Sequence, residues 1–303
     1  IKKNKFDLII GVGGGGVLDK SKIINILSSS SDSNLKKTII SGTFKKSKIP
    51  LVAIPTTAGT GSESTKFATL YIDKIKYSIE DDSIIPKIAI IDPTLIKSNS
   101  KYTMLSSGLD ALSQSIESYW SVNSNIESKK YAKKAMCGIW EILPKIALGI
   151  VTQDDIDNLS YYSNLSGKAI NISKTTACHA ISYYLTSNYN IAHGHAVMLT
   201  LGNIFKLNLE TDFNNLNDER GLKYCISNLK SICEMLKINS DNVSEIFSNY
   251  LKDLGLYTKL SQFGIPNEDL KNIVNSINVV RLKNNPRSLS NNDILNILKK
   301  IYK

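Results

Sequence analysis

All three histidines of the chain, His179, His193 and His195, fall within the run CHAISYYLTSNYNIAHGHA (178–196). Imidazole is the side chain most often recruited to hold a transition metal, and chance placement of every histidine in so short a window is improbable. His179 lies in a stretch of helical spacing, and His193 follows beyond a turn around 188–190. A helix followed by a returning loop can bring two imidazoles to one point. Upstream, SSGLDALSQSIESYW (106–120) sets Asp110 and Gln114 four residues apart, hence on one helix face, where their oxygens can reach the same ion. Plainer readings compete. Ser107 with Asp110 fits a capping box that starts a helix without any metal, and Gln114 alone reads as a surface glutamine. His195 is expected to hold no metal.

A second chemistry is written in glycine. GVGGGGVLDK (11–20) contains Gly11, Gly13 and Gly16 in GxGxxG spacing, between an apolar run and a helical pattern. At such a junction, exposed backbone N–H groups and the helix dipole can hold a pyrophosphate; an unliganded tight turn has the same spacing. IPTTAGTGSEST (54–65) is dense in hydroxyls, from Thr56, Thr57, Thr60, Ser62 and Thr65, with Gly59 and Gly61 permitting unusual backbone angles. Two phosphate-friendly turns that each follow a strand of one parallel sheet lie side by side at its carboxyl edge, where α/β sheets bind ligands.

The elements that must position these groups divide the chain. FDLIIGV (6–12), PLVAIP (50–55) and KIAIID (87–92) read as strands and VLDKSKIINILS (17–28) as a helix, the rhythm of a parallel sheet with crossover helices. From Leu105 onward apolar residues recur at spacings of three and four, most clearly in Leu105, Leu109, Leu112, Ile116 and Trp120. The predicted fold is an α/β N-terminal domain with a parallel Rossmann-like sheet over 1–98, followed by an all-α domain over 99–303. Polar stretches at 121–127, 153–158 and 211–219 are expected to connect helices. The chain opens at Ile1 in mid-pattern without Met, so a missing N-terminal portion and a partial sheet are expected.

Composition narrows the function. The net charge of +10 comes mostly from scattered lysines, which read as solvated surface and not as a nucleic-acid face, and which favour an anionic substrate. Four cysteines without CxxC spacing suggest a reducing, cytoplasmic setting. No run approaches the roughly 18–20 apolar residues that a membrane span requires.

Together GVGGGGVLDKSK, IPTTAGTGSEST, IDPTL, SSGLDALSQSIESYW and HAISYYLTSNYNIAHGHA resemble the iron-containing alcohol dehydrogenase family, and NPRSLSNNDILNILKKIY (285–302) is similar to its C-terminal ending. The resemblance covers nearly the whole chain. It implies a dehydroquinate synthase-like architecture, hydride exchange between NAD or NADP and a small aldehyde or primary alcohol, one divalent metal ion (iron or zinc), and a homodimer. It would place Gly14, Gly15, Gly16 and Asp19 at the pyrophosphate, line the rest of the cofactor cleft with Thr56, Thr57, Thr60, Thr65, Lys76 and Leu95, and give the metal to Asp110, Gln114, His179 and His193. Members usually carry histidine where Gln114 and Tyr183 stand and serine where Gly16 stands. The wording around 107–124 and 169–197 resembles the branch that reduces phosphonoacetaldehyde to 2-hydroxyethylphosphonate. On that reading Tyr183 is a phenolic proton carrier, and Lys174 and Arg287 are the cations expected to meet the phosphonate. Simple-alcohol or glycerol dehydrogenases, and dehydroquinate synthase relatives, share the architecture; a non-catalytic basic binding module is the reading from another class.

Overall fold

Apolar runs bounded by glycine and proline make the strands. β1 (Ile9–Gly13) and β2 (Leu51–Pro55) pair in parallel, with Ile9 opposite Leu51 and Gly13 opposite Pro55, and β5 (Ile88–Ala89) joins the far edge of β2. The computed structural model describes residues 6–29, 35–42, 44–72 and 75–303. Helices α1 (Gly15–Ser28) and α2 (Leu35–Ser41) lie in the crossover between β1 and β2, as parallel pairing requires. An antiparallel hairpin of β3 (Phe67–Ile72) and β4 (Ile75–Glu80) follows the threonine loop. Ile23, Ile26, Leu27, Ile39, Ala68, Ile79 and Ile84 make a small core between helix and hairpin. On one face of the parallel sheet, Ile10, Val12, Ile88 and Ile90 are 46–55% exposed.

Beyond Ile96 the chain is helical: α3 (Lys101–Trp120), α4 (Ile126–Leu148), α5 (Gln153–Ser173), α6 (Ala177–Tyr189), α7 (His193–Leu209), α8 (Leu222–Leu236), α9 (Val243–Asp253), α10 (Leu270–Asn275), α11 (Val279–Leu282) and α12 (Asn291–Lys300). α3 is the central strut, packed on α4, α5 and α7. Its stripe Leu105, Leu109, Leu112, Ile116 and Trp120 is buried, at 1% exposure or less. Full burial of such side chains contributes about 1.5–3 kcal/mol each. Trp120 also donates from Nε1 to Thr176 Oγ1 at 2.9 Å, which fixes the start of α6 against the end of α3.

Several expected boundaries move, for local reasons. α3 starts at Lys101, not near Ser106, because the Ser100 hydroxyl accepts from Thr103 N–H; Ser107 and Asp110 are then interior residues and no capping box joins them. The stretch 153–158 is not a connection. Thr152 and Asp155 form a capping box that opens α5 there, and its acidic first turn suits the positive end of the helix dipole. The strand expected at 87–92 narrows to two residues. Among the described residues no helix is long and apolar enough to cross a membrane.

Candidate metal and cofactor site

α6 ends at Asn190, whose left-handed backbone (φ 53°) turns the chain so that α7 begins at His193, facing His179. Gly194 makes the crossing possible: a methyl group there would be driven into the Ser106 carbonyl and the backbone N–H of Asp110. α7 thus lies directly on the turn of α3 that carries Asp110. Asp110 Oδ1 is 3.2 Å from His179 Nε2 and 3.9 Å from His193 Nε2, and one ligand atom from each residue lies within 4.8 Å of the others. One carboxylate and two imidazoles fit a divalent iron or zinc ion.

Glu117, which sequence reasoning passed over, orients this cluster. It is wholly buried two turns beyond Asp110 on α3 and accepts hydrogen bonds from Thr176 N (3.1 Å), Thr176 Oγ1 (2.7 Å), Cys178 N (2.7 Å) and His179 Nδ1. A bond on Nδ1 aims Nε2 of His179 at the centre, the usual arrangement behind a ligating imidazole. The field is strongly cation-seeking. Burial opposes the charge on His179, yet the Glu117 and Asp110 carboxylates hold its imidazolium up to about 9. Burial likewise raises the Asp110 carboxyl, but the charges and hydrogen bonds of His193, His179 and Gln114 hold it below the ordinary carboxylate range.

Gln114 stands beside the triad with its amide oxygen accepting from Ser166 Oγ at 2.7 Å and its nitrogen 3.4 Å from the Thr60 carbonyl. His195 is turned away, bonded to the Tyr257 carbonyl at 2.7 Å, and burial pushes its imidazole below the ordinary value. It is a core residue, not a ligand.

The triad opens into a cavity of about 550 Å³ that also takes in Gly15, Gly16, Asp19, Thr60 and Thr65, so the glycine turn, the threonine loop and the candidate metal ligands share one space. Gly14 caps α1 behind it and lies against Thr57. Thr56, Thr57 and Leu95 are not on its walls; Thr56 ties β1 to β2 through its N–H to the Gly13 carbonyl, and Leu95 sits in the short turn Pro93–Ile96. Lys76 stands in β4, and its side chain lies outside the described residues. Asp19 accepts from Ser62 Oγ (2.6 Å) and Thr69 N (2.8 Å), which locks α1 to the loop and hairpin. Lys22, one turn further and also unanticipated, is fully buried, donating to the carbonyls of Thr65 and Phe67 at 2.8 Å; burial lowers its ammonium to about 8. The loop meets the helical part backbone to backbone: Gly61, at φ 60°, touches Gly167 in α5 with no room for a side chain on either.

At the opposite rim are Tyr183, Lys174 and Arg281. The Tyr183 ring stacks on His193 with centroids 5.6 Å apart and 7° between planes, and its hydroxyl oxygen accepts from Arg281 Nη1 at 2.6 Å. Lys174 pairs with Glu80 of β4 at 2.8 Å. Arg287 does not reach the cavity. Its guanidinium donates to the Glu210 and Leu207 carbonyls at 2.7 and 3.3 Å, satisfying the C-terminal end of α7.

Comparison with known proteins gives this geometry a family. The profile described as the C-terminal part of the Fe-containing alcohol dehydrogenase family matches residues 104–302, and that described as iron-containing alcohol dehydrogenase matches residues 1–93. Long-chain-alcohol dehydrogenase 1 of Geobacillus thermodenitrificans is 31% identical over 90% of this chain and 68% of its own length. The phosphonoacetaldehyde reductase of Streptomyces viridochromogenes is 33% identical over 71% of this chain and 56% of its own. Among solved structures, sulfoacetaldehyde reductase from Bifidobacterium kashiwanohense in complex with NAD+ superposes with a TM-score of 0.86 at 26% identity, covering 99% of this chain and 77% of that one. The chain therefore belongs to the iron-containing alcohol dehydrogenase family, oxidoreductases of alcohols and aldehydes.

Proposed function

We propose that the protein transfers hydride between a nicotinamide cofactor and a small aldehyde, reducing phosphonoacetaldehyde to 2-hydroxyethylphosphonate. The observation that carries this reading is the single cavity in which a glycine turn at a helix N-terminus faces a carboxylate and two imidazoles. When bound, a divalent ion supplies Lewis-acid polarisation of a carbonyl and the nicotinamide supplies hydride. The chain's own work is placement. Backbone N–H groups at Gly15 and Gly16 would hold the pyrophosphate, and Asp110, His179 and His193, aimed by Glu117, would hold the metal, with Gln114 completing the set. Tyr183, whose ring is parallel to that of His193, would hand a proton from its hydroxyl to the product oxygen. A phosphonoacetaldehyde reductase among the relatives supports the substrate, as does a sulfoacetaldehyde reductase among the structures. The long-chain-alcohol relative favours a second reading, oxidation of neutral alcohols by the same machinery.

The test follows NADH and NADPH oxidation by the iron- or zinc-loaded protein against phosphonoacetaldehyde, simple aldehydes and, in reverse, glycerol. The expected result is highest kcat/KM on phosphonoacetaldehyde and loss of turnover in His179→Ala and His193→Ala variants of unchanged circular dichroism. Full turnover in the double variant, or none in the wild type with any aldehyde, overturns the proposal.

A further inference from the structure

We infer that Arg281, with the hydroxyl of Thr186, holds the anionic end of the substrate, so that this site selects short aldehydes carrying a tetrahedral oxyanion; the inference rests on the aldehyde-reducing reading above. Arg281 projects from α11 into the cavity. Its guanidinium donates from Nη1 to the Tyr183 hydroxyl and from Nη2 to Ser78 Oγ at 3.0 Å, both neutral partners, and no carboxylate pairs with it among the described residues. A guanidinium has five N–H donors, so these two bonds leave capacity for an oxyanion.

Three other cations of the helical part are already engaged. Lys174 is neutralised by Glu80, Arg220 by Asp218, and Arg287 is bound by the carbonyls at the end of α7. The position is also right. Arg281 Cζ lies 5.2 Å from the centre of the Tyr183 ring, whose plane is stacked on His193, so one aromatic ring separates the guanidinium from a ligand of the metal centre. On this inference a two-carbon aldehyde with its carbonyl at the triad would present its far end to that guanidinium. Thr186, on the turn of α6 after Tyr183, supplies a second clue: its hydroxyl oxygen is buried on the cavity wall without a hydrogen-bond partner among the described residues. A buried hydroxyl left unsatisfied in the free protein is rare, and an anion oxygen beside Arg281 would complete it.

The experiment measures kcat/KM for phosphonoacetaldehyde, sulfoacetaldehyde and the neutral butanal in the metal-loaded wild type, Arg281→Met, Arg281→Lys and Thr186→Val. Arg281→Met should lower the ratio of anionic to neutral kcat/KM about 10- to 100-fold, the range of a charge-assisted hydrogen bond, with the change in KM. Arg281→Lys should restore part of it, and Thr186→Val should lower it less. An unchanged ratio in Arg281→Met overturns the inference. Calorimetric titration with 2-hydroxyethylphosphonate separates this from failure of the functional reading. Binding by the wild type that Arg281→Met removes keeps the anion site even if no aldehyde is turned over, and no binding by the wild type overturns it.

Discussion

A buried carboxylate needs partners for its lone pairs, and Glu117 shows how such a residue can shape a candidate metal site from behind one of its imidazoles. Its four donors come from the first turn of α6 and from His179, so one side chain sets both where the helix begins and which way the imidazole faces. Glu117→Gln replaces an acceptor-only group with one that presents N–H to at least one of these donors. Metal affinity, measured by competition with a chromophoric chelator, should fall about 10- to 100-fold while Asp110, His179 and His193 all remain. Unchanged affinity would reduce Glu117 to a helix-capping role. At this scale the sequence was uneven. The histidines announced themselves because the chain has only three; Glu117 carried no signal beyond standing seven residues after Asp110, on the same face of the same helix. Arg281 and Arg287 are indistinguishable as letters, and what separates them is that the carbonyls closing α7 capture only the second.

Elements carry the geometry through close approach. The α3 to α7 crossing leaves no room for a Cβ at residue 194, so Gly194→Ala should push α7 off α3, cost about 1–3 kcal/mol by overpacking, and draw His193 away from Asp110. A lowered thermal midpoint together with weakened metal binding is the expected pair of results. Gly16→Ala is the control for the fold, because a methyl there meets nothing within 4 Å, and its midpoint should stay put. Strands β1 and β2 were legible as apolar runs ending in glycine or proline, and α3 from its stripe. The hairpin β3 to β4 was not, since FATLYI and IKYSIE lack a recognisable two-residue turn between them and the packing of β3 on α1 is not written in the strand itself. The acidic start of α5 reads as a linker in the sequence because the polar residues that cap a helix are the same ones that populate loops.

At the scale of the whole molecule the two halves differ in how they are covered. The helical part encloses a continuous apolar core, whereas the small parallel sheet buries one face on α1 and leaves Ile10, Val12, Ile88 and Ile90 open on the other. Parallel sheets are normally covered on both faces, and contiguous apolar patches attract cover. The protein should therefore bind 8-anilinonaphthalene-1-sulfonate in its native state and sediment faster with rising concentration; replacing Ile10 and Ile88 with threonine should weaken both effects. Dye fluorescence at buffer level in the native protein would count against an open sheet face. The contact of Gly61 with Gly167 bears on motion between the halves. With bare main chain on both sides there is nothing compressible at that point, so a side chain on either residue would hold the two parts of the chain apart. Any widening of the cleft would have to part Lys174 from Glu80 and Arg281 from Ser78, and with them the bonds of Lys66 to Asn171 and of Asn164 to Glu63 beside that contact.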